Sequence, residues 1–306
     1  MGLFRRKSAA SLRLSPEGPY RATETITVSV NLDEALDGVT AAKVELGYVN
    51  VFRYRWAGRA DAAFSQGADS LLMMGEVGTN YGTEKDGEAW VHVLEEPLLV
   101  ADGLLGAGSH QVAVRLPSWA PGSSAKVVQW QVRLHVERGK KTATSQAPFQ
   151  VLIAAPEPKP TDLPLIQGER ALANTLHFEI ETDRACYKPG EEVRGVVAVT
   201  SREPVSRKAL VAGWFQRLQA SHPVEKTPGS ATEEYTRPMV TFAKDVQLRQ
   251  HQRAEFPFAL TLPLDVDPTT EAVNSSIDWF VQIKVEFAGA TGGIERAQRG
   301  IVVHTG

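Results

Sequence analysis

Two distant stretches of this chain carry one alternating signature. Trp130-Gln131-Val132-Arg133-Leu134-His135-Val136 and Trp279-Phe280-Val281-Gln282-Ile283-Lys284-Val285 both fit the pattern W-x-V-x-[LI]-x-V. Successive side chains of a strand point to opposite faces. A period of two therefore puts the Trp, both valines and the Leu or Ile on one face, with mostly polar residues on the other. Each stretch reads as a half-buried strand, and such a strand must cover its apolar face with another layer.

Three more patterns recur in the same order. Upstream of each Trp strand lie Val112-Ala113-Val114-Arg115-Leu116-Pro117 and Phe258-Ala259-Leu260-Thr261-Leu262-Pro263, where proline ends the ladder. Tyr20-Arg21-Ala22-Thr23-Glu24-Thr25-Ile26 matches Tyr187-Lys188-Pro189-Gly190-Glu191-Glu192-Val193, and Gly47-Tyr48-Val49 matches Gly213-Trp214-Phe215. The offsets are 167 and 166 residues for the first two anchors, then 146 at the Leu-Pro pair and 149 at the Trp. The drop implies about 20 extra residues between Gly47 and Leu116 in the first half. Shared alternation alone does not generate four ordered matches, so the pattern reads as an internal duplication.

The remaining strand candidates also have period two: Ile26, Val28, Val30 and Leu32; Phe149, Val151 and Ile153; Phe256, Phe258, Leu260 and Leu262. No dozen-residue segment has a helical period, although Leu165 to Ala173 could form a short helical turn. Many short strands separated by Gly, Pro, Asp and Ser turns predict an all-β protein of tandem, immunoglobulin-like β-sandwiches. Ala154-Ala155-Pro156-Glu157-Pro158-Lys159-Pro160-Thr161-Asp162-Leu163-Pro164 reads as a stiff linker. The expected organisation is a flexible arm at 1–9, a first sandwich at 10–154, a Pro-rich linker at 155–171 and a second sandwich at 172–306. At 306 residues the chain is long enough for two such cores.

With those residues in place, the second half resembles the arrestin superfamily, especially the bacterial branch containing the sporulation-control proteins. The resemblance rests on Tyr187-Lys188-Pro189-Gly190-Glu191-Glu192-Val193-Arg194-Gly195, on Glu255 through Pro263, and on the Trp279 to Val285 strand. The first half looks like a diverged copy, with Ala22-Thr23 in place of Pro189-Gly190. The resemblance implies two arrestin-like sandwiches over about residues 10 to 305 and an adaptor or scaffold role rather than catalysis. It carries no receptor-contacting or phosphate-sensing residues onto this chain.

The chemistry-bearing residues point the same way. A net charge of −3 gives no basic excess for nucleic acid, and one cysteine, Cys186, forms no internal disulfide. Seven scattered histidines show no ligand spacing, and His135 reads as a solvated side chain on the polar face of its strand. No nucleophile elbow occurs, and the glycine-rich Gly103–Ser109 run lacks the lysine of a phosphate loop. Asp265-Val266-Asp267 lacks the rest of a calcium loop and reads as a turn, and Cys186 has no activating neighbour. Glu95-Glu96, Glu191-Glu192 and Glu233-Glu234 point to opposite sides if they lie in strands. No catalytic residue, metal or cofactor is expected.

The best binding candidate is Phe52-Arg53-Tyr54-Arg55-Trp56-Ala57-Gly58-Arg59, whose Arg53, Arg55, Trp56 and Arg59 are residue types enriched at interaction hot spots. The competing reading gives the aromatics to the core and the arginines to a solvated face or edge. Asp61 to Gly87 reads as a long loop whose Met73 and Met74 offer an adaptable apolar patch, and Ser221 to Pro238 as an exposed loop. The start, with Leu3, Phe4, Arg5, Arg6 and Lys7, lacks a secretory signal but suits peripheral contact with anionic lipid. No apolar run is long enough for a transmembrane segment. The expectation is a cytoplasmic, non-enzymatic adaptor binding unidentified protein partners. The alternatives are a self-associating structural protein, or a carbohydrate-binding accessory or enzyme.

Overall fold

The computed structural model describes residues 10–55, 84–154, 163–167, 175–221, 232–236, 238–289 and 293–306. The protein is all-β, with no helix among the described residues. In chain order the strands are β1 (Ala10–Ser15), β2 (Tyr20–Arg21), β3 (Thr25–Leu32), β4 (Leu36–Asp37), β5 (Ala41–Arg55), β6 (Glu84–Pro97), β7 (Leu104–Leu105), β8 (Gly108–Arg115), β9 (Val128–Arg138), β10 (Lys141–Pro148) and β11 (Val151–Leu152). They continue as β12 (Leu165–Gln167), β13 (Leu176–Thr182), β14 (Cys186–Tyr187), β15 (Glu192–Ser201), β16 (Lys208–Ser221), β17 (Thr232–Thr236), β18 (Val240–Gln247), β19 (Arg253–Thr261), β20 (Thr270–Glu271), β21 (Ser275–Phe287) and β22 (Ile294–Val303).

The described residues fall into two compact units. The first takes the chain up to Ile153 together with Thr270–Ser275, so the second half is not one uninterrupted unit. In the first unit, the sheet β1-β3-β8 and the sheet β10-β9-β5-β6 are both antiparallel. Their apolar sides form the core: Ile26, Val28 and Val30 from β3, Val44, Leu46 and Tyr48 from β5, and Trp130, Val132 and Leu134 from β9, each 1% exposed or less. The alternation in the sequence is thus the alternation of burial, and each such side chain contributes about 1.5–3 kcal/mol by leaving water.

The second unit repeats the order. Its three-stranded sheet is β13-β15-β19, and its larger sheet runs β12-β22-β21-β16-β17 with β18 also on β16. The correspondence between the two halves of the chain extends to individual hydrogen bonds. The Trp130 indole donates to the Pro121 carbonyl at 2.7 Å, and the Trp279 indole to the Asp267 carbonyl at 2.9 Å, each acceptor lying four residues after its Leu-Pro proline. Thr23 N–H donates to Leu116 O and Leu116 N–H to Glu24 O; Gly190 N–H donates to Leu262 O and Leu262 N–H to Glu191 O. Glu24 and Glu191 accept from the backbone N–H of Arg21 and Lys188 at 2.9 and 2.8 Å.

The first-half turn survives the loss of Pro-Gly because Thr23 adopts φ +70°, the left-handed conformation that Gly190 takes at φ +84°. One sequence match is corrected. Tyr48 and Phe215 are both buried in their cores, whereas Trp214, matched to Tyr48 at an offset of 166, carries Arg296 over its ring on the opposite face. The offset here is 167, and a slip of one residue reverses every side chain.

Three segments differ from expectation. Leu165–Gln167 is not helical; it is the edge strand β12, pairing antiparallel with β22, so part of the expected linker belongs to a sheet. Thr232–Thr236, expected as loop, pairs with β16. Glu84–Gly87 opens the edge strand β6 instead of closing a loop, because its backbone continues the ladder with β5. Among the described residues no helix is long and apolar enough to cross a membrane.

Candidate functional site

The outward side of the sheet β10-β9-β5-β6 carries a cluster of polar and aromatic side chains. Its centre is Gly47 on β5. A Cβ there would lie 2.4 Å from Val91 O and 2.6 Å from the Trp90 ring, so only glycine lets the edge-strand tryptophan lie across its neighbour. On the far side, the Arg133 guanidinium of β9 sits 3.5 Å from the Trp90 ring centre. Trp90, Gly47 and Arg133 thus form one stack spanning three strands, a cation–π contact of about 0.5–2 kcal/mol. Burial lowers the Arg133 pKa, although nearby Glu45 opposes the shift. Neither Arg133 Nε nor Trp90 Nε1 has a hydrogen-bond partner among the described residues.

Next to this stack is an ionic cluster. Glu45, 13% exposed, has His135 Nε2 at 2.8 Å, Lys43 Nζ at 3.1 Å and His92 Nδ1 at 3.7 Å. Lys43 also reaches Glu95 at 2.5 Å. His135 Nδ1 lies 3.3 Å from Thr144 Oγ1 on β10. Burial alone would raise the Glu45 pKa, but the Lys43 hydrogen bond and the His135 charge together hold it below the ordinary carboxylate value. The Lys43 ammonium is correspondingly raised, chiefly by its bond to Glu95.

The expectation of a solvated His135 is therefore corrected: its ring is only 21% exposed and packs against Glu45. The residue does fall on the polar side of its strand, but the neighbouring strand supplies a carboxylate that single-strand periodicity does not reveal. Of the expected binding residues, Arg53 lies on this same outward side and pairs with Asp86 at 3.0 Å, while Phe52 is buried. Arg55 ends β5. Trp56, Arg59, Met73 and Met74 lie outside the described residues, as does the 1–9 arm. Cys186 is partly buried, which raises its thiol pKa despite Arg184 nearby.

No protein-family model matches the chain, and no curated protein does. Among solved structures, the sporulation control protein Spo0M from Bacillus subtilis is similar at 18% identity and a TM-score of 0.35, over 44% of this chain and 51% of that one. The match spans about half the length of that protein.

Proposed function

We propose that this chain is a non-catalytic, cytoplasmic adaptor of arrestin-like architecture that binds protein partners through the outward side of the β10-β9-β5-β6 sheet and its β6 edge. The observation that carries this reading is the Trp90–Arg133 stack across Gly47. Trp and Arg are the side chains most enriched at interface hot spots, and here they are held rigid on a sheet rather than on a loop. The resemblance of Tyr187–Gly195, Glu255–Pro263 and Trp279–Val285 to the arrestin superfamily supports the same role. Arg53 continues the surface towards the end of β5.

The test is recovery of partners from the native host with wild-type protein, with Trp90→Ala, Arg133→Ala and an Arg53/Arg55/Trp56 alanine variant, each checked for an unchanged β-sheet circular dichroism spectrum. Partners lost in the folded Trp90 and Arg133 variants support the surface; recovery unchanged in all three removes it. A second reading, self-association, is favoured by one observation: among the described residues β6 stands at the edge of its sheet, and it is 14 residues long. Long edges present unpaired backbone groups to another chain. Light scattering across micromolar concentrations separates the two readings, a constant monomer mass excluding assembly.

A further inference from the structure

Three ligating side chains converge beside the Trp90 stack. One ligand atom each from Glu45, His92 and Glu95 lies within 4.8 Å of the others. Strict alternation along β6 would send His92 and Glu95, three residues apart, to opposite sides. A register shift opposite Leu46 and Gly47 pairs Gly47 with His92 and Glu45 with Glu95, so both residues face outward with Glu45. Such bulges concentrate next to functional sites, where they re-aim a side chain. The same place already attracts a cation, since the Lys43 ammonium lies 3.1 Å from Glu45 Oε1 and 2.5 Å from Glu95 Oε2.

We propose that Glu45, His92 and Glu95 bind a divalent ion of the zinc class, which displaces the Lys43 ammonium from between the two carboxylates. An imidazole with two carboxylates is a zinc-type donor set, whereas calcium and magnesium take oxygen alone. Zinc bonds of about 2.0–2.2 Å place tetrahedral ligand atoms about 3.4 Å apart, so the cluster contracts by about an ångström on binding. His92 and Glu95 are 47% and 49% exposed, which leaves them the rotamer freedom for that movement. Glu45 is the enclosed member of the three, 13% exposed, with His135 Nε2 2.8 Å from its other oxygen and Thr144 Oγ1 3.3 Å from His135 Nδ1. An outer partner of this kind typically tunes metal affinity by 10–100-fold. Water completes the fourth position.

The full chain, freed of metal with a chelator and dialysed, is titrated calorimetrically with zinc chloride at pH 7.5, with calcium chloride as control. One zinc per chain is expected, with no heat from calcium. His92→Ala and Glu95→Gln, which alter exposed side chains and leave the core intact, each lower the affinity at least tenfold. Lys43→Met, which removes the competing ammonium, raises it severalfold. That gain distinguishes a cation site from a surface that loses affinity on any change. The proposal is overturned if wild-type protein takes up no zinc, if zinc binds equally well to the His92 and Glu95 variants, or if Lys43→Met weakens binding.

Discussion

Arg217 Nη1 donates to the Asp267 carboxylate at 2.9 Å with the two side chains only 6% and 17% exposed. The backbone carbonyl of the same Asp267 receives the Trp279 indole. One residue thus ties the buried charge of β16 to the Trp anchor of β21. Removing one partner of an enclosed ion pair strips the other charge of that bond and costs up to about 3–5 kcal/mol. Asp267→Ala is expected to destabilise by that order in urea unfolding. Arg217→Met on the Asp267→Ala background should recover part of the loss, since a buried pair replaced by apolar volume is often close to neutral.

The paired indole bonds bear on how closely the two halves correspond. Trp130→Phe and Trp279→Phe each delete one hydrogen bond from a fully buried ring and leave a partial void. Each should cost about 2–4 kcal/mol, the lost bond and the unfilled space together. Denaturant midpoints that fall for both variants to a similar extent check that the two positions carry equal roles.

Thr23 holds a left-handed turn with a β-branched side chain, an arrangement strained by about 1–2 kcal/mol. Thr23→Asn, which tolerates that conformation, is expected to raise stability by about 0.5–1 kcal/mol. Thr23→Gly relieves the same strain but adds about 0.5–1 kcal/mol of unfolded-chain entropy, so its net effect is smaller. Gly190→Ala runs the other way and loses about 1 kcal/mol or more, because its Cβ meets φ +84° and the Leu264 side chain at 2.6 Å. Thermal melts of the three variants give the order.

Gly47→Ala should displace the Trp90 ring, since the added methyl coincides with both the ring and Val91 O. Overpacking of this kind costs about 1–3 kcal/mol. The Trp90 contribution to the fluorescence spectrum, identified by difference against Trp90→Phe, should shift to the red as the ring swings into water. An unaltered spectrum would show that the sheet accommodates the methyl without moving the stack.

Acid sensitivity follows from two glutamates. Glu191 is held below the ordinary value of 4.5, first by the Lys188 backbone N–H and then by Arg184, and Glu45 is lowered by Lys43 and His135 against its burial. A carboxylate with a depressed folded-state pKa contributes stability that is fully present above about 4.5, and the contribution is lost as pH falls through the lower folded value. Urea midpoints should therefore decline as the pH falls below about 4.5. The decline should be shallower in Glu45→Gln and Glu191→Gln, whose amides do not titrate.

The Trp strands, the Leu-Pro strand ends and the all-β class were legible because each depends on period-two burial within a short segment. Thr23 was harder, since its turn is fixed by hydrogen bonds to Leu116 rather than by its own conformational preference. The Glu45, His92, Glu95 and His135 group was invisible for a different reason. Its members come from three strands, and their meeting depends on cross-strand register and on one bulge, neither of which leaves a local mark in composition or spacing. Arg217 and Asp267 meet in the same non-local way. The one-residue error at Gly213 shows the limit of motif matching, because a shared Gly-aromatic pair carried no information about which side of the sheet it faced.

A bare methylene at position 47 lets three strands share a single stack. There an indole anchored on the outermost ribbon rests beneath a guanidinium rooted two ribbons away. A single added methyl at that point would part the rim of this sheet from its middle.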